Sequence, residues 1–142
     1  MHVKQILQQK GHEVLTTSPD TSLHQAARLL KKHRVGALVV TDEDGSVKGI
    51  ISERDIVNAI ADHGEQAIEL PVSQVMTRQV FTCRPQDTTD RLMEIMTHQR
   101  VRHLPVVQDG RLAGLISIGD VVKHRMEEIA FEAEQMKLYI AS

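Results

Sequence analysis

Gly49-Ile50-Ile51-Ser52-Glu53-Arg54-Asp55 and Gly114-Leu115-Ile116-Ser117-Ile118-Gly119-Asp120 are one phrase written twice, 65 positions apart. Each runs glycine, two aliphatic residues, serine, two free positions, aspartate. Downstream, Val57 matches Val122, and upstream Gly45 matches Gly110. Beyond a turn in which the second copy is one residue shorter, the offset becomes 66. Val40 then meets Val106, Leu38 meets Leu104, and Arg34-Val35 meets Arg100-Val101. Pro19 meets Pro85, Thr16 meets Thr82, and Val14 meets Val80. Matches that keep their order over so long a stretch with a single gap mark an internal duplication.

Each copy spells the same elements. A short strand lies near Glu13–Thr16 and near Gln79–Thr82, and a proline turn follows. A helix carries Leu23, Ala26, Ala27 and Leu30 at helical spacing in the first copy, and Leu92, Met93 and Met96 in the second. A strand at Ala37–Thr41 or His103–Val107 reaches Asp44-Gly45 or Asp109-Gly110, which has hairpin chemistry. The return strand, Val47–Ile51 or Arg111–Ile116, feeds a helix that starts at Ser52 or Ser117. The expected fold is α/β (α+β), with two β-α-β-β-α repeats packed through their sheets about a pseudo-twofold axis. One unit is too small to bury a good core alone, so the two are expected to share one. Val3–Lys10 reads as an added helix closed by Gly11. The boundaries expected are 1–65 for that helix and the first repeat, 66–78 for a linker broken by Pro71, and 79–142 for the second repeat with a long C-terminal helix.

Composition narrows the class. The chain has 142 residues, 41% hydrophobic but only 2% aromatic, so aliphatic side chains must build the core. A net charge of -2 and the lack of a stacking surface argue against nucleic acid as partner. The single cysteine, Cys83, leaves no internal disulfide and no cysteine-based zinc cluster. The eight histidines lack metal-ligand spacing, so no metal is expected. Met1–Gln5 has no hydrophobic signal core and no apolar run is long enough to span a membrane, which points to a cytoplasmic protein.

The two phrases, with Arg100-Val101-Arg102-His103-Leu104-Pro105-Val106-Val107, resemble the CBS family, named after cystathionine β-synthase. Its tandem pairs are often called Bateman modules. The resemblance covers about 14–60 and 80–125, most of the chain. It implies an adenine nucleotide as regulatory ligand, with AMP first and ADP, ATP or an NAD-type dinucleotide as alternatives. It also implies clefts between the repeats, regulation of another protein through a change of shape, and no catalysis. An S-adenosylmethionine binder and an interaction module with vestigial clefts remain the other readings.

Within that resemblance the site residues are Thr17, Ser52, Asp55, Cys83, Arg102, His103, Pro105, Ser117 and Asp120. Ser-x-x-Asp is also the spacing of a capping box, so Ser52/Asp55 and Ser117/Asp120 have a purely structural use. At the third position of a helix, the aspartate also faces the cleft mouth, where it can accept hydrogen bonds from ribose hydroxyls; Asp120 is placed before Asp55 in this role. The helix N-terminus beside it favours phosphate. Arg102-His103 replaces Gly36-Ala37 of the first copy, and the pair is assigned to phosphates. The resemblance puts Thr17 or Cys83, at the first-strand exits, against the base. Finally, Val122, Met126, Ile129, Ala133, Met136 and Ile140 step by four and three, a heptad stripe suited to a homodimer.

Overall fold

The computed structural model describes residues 1–141. Its elements run α1 (Val3–Lys10), β1 (Thr16–Thr17), α2 (Leu23–His33), β2 (Ala37–Thr41), β3 (Val47–Ser52) and α3 (Glu53–His63). Two 3₁₀ turns, Gly64–Glu69 and Val72–Gln74, form the connection. Then come α4 (Thr89–Gln99), β4 (His103–Gln108), β5 (Arg111–Ser117) and α5 (Ile118–Ala141). The repeat order expected from the duplication is present, with β1 parallel to β2 and with antiparallel hairpins β2–β3 and β4–β5.

The local chemistry is duplicated too. Ser22 and Thr88 cap α2 and α4 by accepting from Gln25 and Arg91 N–H groups. Both helices end on an arginine in the left-handed region, Arg34 and Arg100, each at φ 55°. The next residue closes the turn, Val35 N–H bonding Leu30 O at 3.1 Å and Val101 N–H bonding Met96 O at 3.2 Å. Each hairpin carries a register shift, after Val40 and after Val106. The shorter turn of the second copy has positive φ at both Asp109 and Gly110, as a type I′ turn requires.

One element is lost. The strand expected near Gln79–Thr82 is reduced to a single bridge, Cys83 with Val106. Its cause is Pro105. In the first copy Val39 donates its N–H to Leu15 O at 3.2 Å. Pro105 stands at the matching position and has no N–H to give, so the ladder starts one residue later.

The expectation of one shared core is corrected. Leu23, Ala26, Leu30, Leu38, Val40, Ile51 and Ile56 cluster with Ala67, Val72 and Met76 of the connection. Cys83, Leu92, Met96, Leu104, Val106, Ile116 and Val121 cluster separately, with Val3, Ile6 and Leu7 of α1. Each repeat is sealed by the segment that precedes the other, so α1 belongs in space to the second repeat and the connection to the first. Identical backbone bonds do the docking. Val72 and Ser73 donate to Thr21 and Pro19 carbonyls, and Val3 and Lys4 donate to those of Asp87 and Pro85. A borrowed segment supplies each small unit with the apolar area it lacks. The other face of β2, with Ala37 and Val39, is buried as well, and there the repeats meet: a Cβ on Gly36 would stand 3.6 Å from His103 Nε2.

Helix α5 buries only Val121 and His124. The heptad stripe faces outward, with Met126 65% and Ile140 76% exposed.

Candidate functional site

At the end of each return strand the chain turns into a helix through the same serine and aspartate. Asp55 N–H bonds Ser52 Oγ at 3.3 Å, and Asp55 Oδ2 accepts from Ser52 N–H at 2.9 Å and Ser52 Oγ at 3.0 Å. Asp120 repeats this with Ser117 at 3.2, 2.9 and 3.0 Å. Capping therefore engages one carboxylate oxygen and leaves Oδ1. For Asp55, Oδ1 meets only Thr77 Oγ1 at 3.5 Å, the outer limit of a hydrogen bond. The structural and the ligand-binding uses of this motif are compatible in one side chain.

Asp55 lines a groove of about 830 Å³ that draws residues from both repeats. Ile50, Val57, Val80 and Phe81 give it apolar wall, and Ser52, Asp55 and Thr77 give it hydroxyl and carboxylate groups. Arg54, Arg100, Arg102 and His103 lie along it, opposed by the acids Glu53 and Asp55. Arginines give planar donor forks suited to phosphate. Burial lowers the pKa of His103, Lys10 and Arg102 lower it further, and Asp120 and Glu53 oppose them. The imidazole is thus neutral at physiological pH and stands between the charges of both repeats.

Four of the residues expected from sequence therefore meet in one groove: Ser52, Asp55, Arg102 and His103. The strand start of the second repeat and the aspartate of the first thus line one groove. The other five do not line it. Thr17 Oγ1 donates to Thr21 Oγ1 at 2.8 Å within the turn before α2. Cys83 is buried in the second core, where burial and then Asp87 push its thiol up to about 12. Pro105 is buried in β4 and accepts from Cys83 N–H at 3.0 Å. Ser117 caps α5, and Asp120 is held by Lys10, whose Nζ lies 2.6 Å from Asp120 Oδ2 and 2.6 Å from Leu115 O. Burial alone raises the pKa of Asp120, but Lys10 and Ser117 outweigh it and hold the carboxyl below its usual range.

Sequence reading missed the groove walls contributed by Thr77, Val80 and Phe81. A signal existed: Phe81 is one of two phenylalanines in a chain with almost no aromatics. Lys10 carried none beyond its place at a helix end. Among the described residues no cluster of three or more His, Cys, Asp or Glu is arranged to hold a metal ion, and no helix is long and apolar enough to cross a membrane.

The duplicated unit recurs in known proteins. The CBS-domain sequence model matches residues 3–62 and 72–127. A CBS-domain containing protein from Agrobacterium tumefaciens is 53% identical, with a TM-score of 0.86 over 88% of this chain and 99% of that one. The CBS domain-containing protein YhcV of Bacillus subtilis is 32% identical over 80% of each chain. The CBS domain pair of protein MJ0100, solved with 5′-methylthioadenosine and S-adenosyl-L-methionine, is 29% identical. Its TM-score is 0.80 over 90% of this chain and 98% of that one. With both repeats matched and the whole architecture held in common, this chain belongs to the CBS-domain family.

Proposed function

We propose that the chain is a regulatory module, not an enzyme, that binds an adenine nucleotide in the Asp55 groove, with AMP the first candidate and ADP, ATP or NAD the others. The base packs against Ile50, Val80 and Phe81. The ribose hydroxyls donate to Asp55 Oδ1, and the phosphates meet Arg102, His103 and the N-terminus of α3. The observation that carries this reading is the meeting of Asp55 from one repeat with Arg102 and His103 from the other in one groove. A ligand bridging them favours one angle between repeats over another, and only such a difference in affinity can send a signal to a partner protein.

S-adenosylmethionine is the second reading, supported by the MJ0100 complex. The three arginines beside the groove set it behind a phosphate ligand, since its sulfonium is a cation. The outward stripe of α5, continuous with Met93 and Ile118 around a hollow of about 290 Å³, supports a homodimer. A chain that sediments as a monomer at micromolar concentration would remove the dimer. Cytoplasmic residence belongs to the same proposal.

Calorimetry with AMP, ADP, ATP, NAD and S-adenosylmethionine tests the site. Asp55→Asn keeps a side-chain oxygen for the cap and loses the charge that ribose hydroxyls bind. A loss of about tenfold or more is expected, because a hydrogen bond to a charged group contributes about 1.5–3 kcal/mol. Unchanged affinity in Asp55→Asn, or no binding by any of the five ligands, overturns the reading.

A further inference from the structure

The two Ser-x-x-Asp motifs are alike in sequence and differ in what stands over them. Above Asp55 the chain leaving the connection pairs Thr77 with Ile50 through two backbone bonds of 2.9 and 3.0 Å, and only a distant hydroxyl reaches the carboxylate. Above Asp120 the matching place is filled by the end of α1, whose Lys10 ammonium bonds both Leu115 O and Asp120 Oδ2. That oxygen already accepts two bonds from Ser117. Lys10 is thus paired to the carboxylate at 2.6 Å while both side chains are only partly exposed.

We propose that Lys10 is the specificity-determining residue that makes the two motifs unequal: by engaging Asp120 it keeps a nucleoside from binding there, so each chain takes one adenine nucleotide, at Asp55. This rests on the nucleotide reading of the Asp55 groove. The ammonium satisfies the charge that a ribose would otherwise meet, and it covers Leu115 O at the strand edge. Lys10 takes Oδ2 and leaves Oδ1, but the carboxylate charge is already shared with the ammonium, so ribose hydroxyls reaching Oδ1 meet a weaker acceptor than at Asp55. Binding at Asp120 is therefore penalised in a way that binding at Asp55 is not. The device acts through the α1 segment that seals the second core.

Calorimetry of the full chain with AMP as probe, on the wild type, Lys10→Met, Asp55→Asn and the double variant, tests this. Lys10→Met keeps the alkyl stem and removes the charge. The wild type is expected to bind one AMP per chain and Lys10→Met two. Asp55→Asn binds about tenfold or more weakly, and the double variant regains one site of wild-type strength, at Asp120. Two sites in the wild type, or a single site in Lys10→Met, overturns the proposal. A second readout needs no nucleotide: reductive methylation of Lys10 should be slower than that of Lys4 and should speed up in Asp120→Asn. Equal rates in wild type and Asp120→Asn show that no such latch exists in solution and sink the proposal. If no variant binds AMP while Lys10 stays protected, the nucleotide reading fails and takes the selector role with it, leaving the ion pair as structure only.

Discussion

The two repeats share their caps, their left-handed arginines, their hairpin shifts and their Ser-x-x-Asp motif, yet Asp55 lines the groove of about 830 Å³ while Asp120 is paired with Lys10. The difference does not lie in the motif. It lies in what each repeat borrows. The first is sealed by the connection, which runs on as extended chain past Asp55 and leaves a groove walled by Val80 and Phe81. The second is sealed by a longer helix, whose last turn brings a lysine onto Asp120. The strand starts differ in the same sense, Gly36-Ala37 against Arg102-His103. A duplicated unit thus keeps its architecture while its sealing segments and strand starts divide the labour.

The comparison can be broken first at the two glycines where the sealing segments cross the return strands. A Cβ on Gly49 would lie 2.7 Å from Met76 Sδ and 2.8 Å from Thr77 O, so backbone as well as side chain must move. A Cβ on Gly114 would lie 2.6 Å from Leu7 Cδ2, the end of a side chain that can rotate. Overpacking costs about 1–3 kcal/mol. Gly49→Ala is expected at the upper end and Gly114→Ala at the lower, read as a difference in urea midpoint. Equal losses would show that the two crossings are equally rigid.

How far the sequence carries follows from the same contrast. The duplication is a matter of identity and order, so the β-α-β-β-α repeat and its pseudo-twofold arrangement are legible without coordinates. Periodicity says that Val3, Ile6 and Leu7 form an apolar face, but not which repeat that face will cover. The loss of the first strand of the second repeat was written in Pro105, whose missing N–H matters only once its bonding partner is known. The groove was legible in part. Arg102-His103 stands out against Gly36-Ala37, but its place in one groove with Asp55 depends on how the repeats cross. That crossing sets a distance between residues nearly fifty positions apart, which no local pattern records.

The asymmetry of the strand starts is sharpened by pH. His103 stands where the first repeat has Ala37, and burial, with Lys10 and Arg102, depresses its pKa in the folded chain. In the unfolded chain an imidazole titrates near about 6.5. Between the depressed value and that figure the unfolded state holds more protons, so stability falls as pH drops below about 6.5 and is unaffected above it. The other histidines contribute equally to wild type and His103→Gln, so subtracting the two stability curves isolates this residue. The gap between the curves should shift below that pH and be constant above it. A constant gap across the whole range would mean the imidazole titrates as if free, and Asp120 and Glu53 would then balance the depressing charges.

The smallest effect concerns a feature the repeats share and use differently. Arg34 and Arg100 both hold the left-handed conformation at a helix end, a position that glycine occupies without a Cβ penalty. Arg34 lies with Arg28, Lys31 and Lys32 on the far end of α2, away from the groove. Arg34→Gly should relieve backbone strain and also part of the repulsion within that cationic cluster. Against this stands the greater freedom glycine has in the unfolded chain, so the net change is expected to be a stabilisation of less than about 1 kcal/mol. Arg100→Gly should relieve the same strain, but Arg100 lines the groove, so the folding gain is expected to come with weaker nucleotide binding. Thermal melts of both variants, with and without AMP, separate the two quantities. If both lose stability by the same amount without ligand, the arginine conformation is held by contacts worth more than the strain. If Arg100→Gly keeps the full AMP shift, its cation has no part in what sets the Asp55 groove apart.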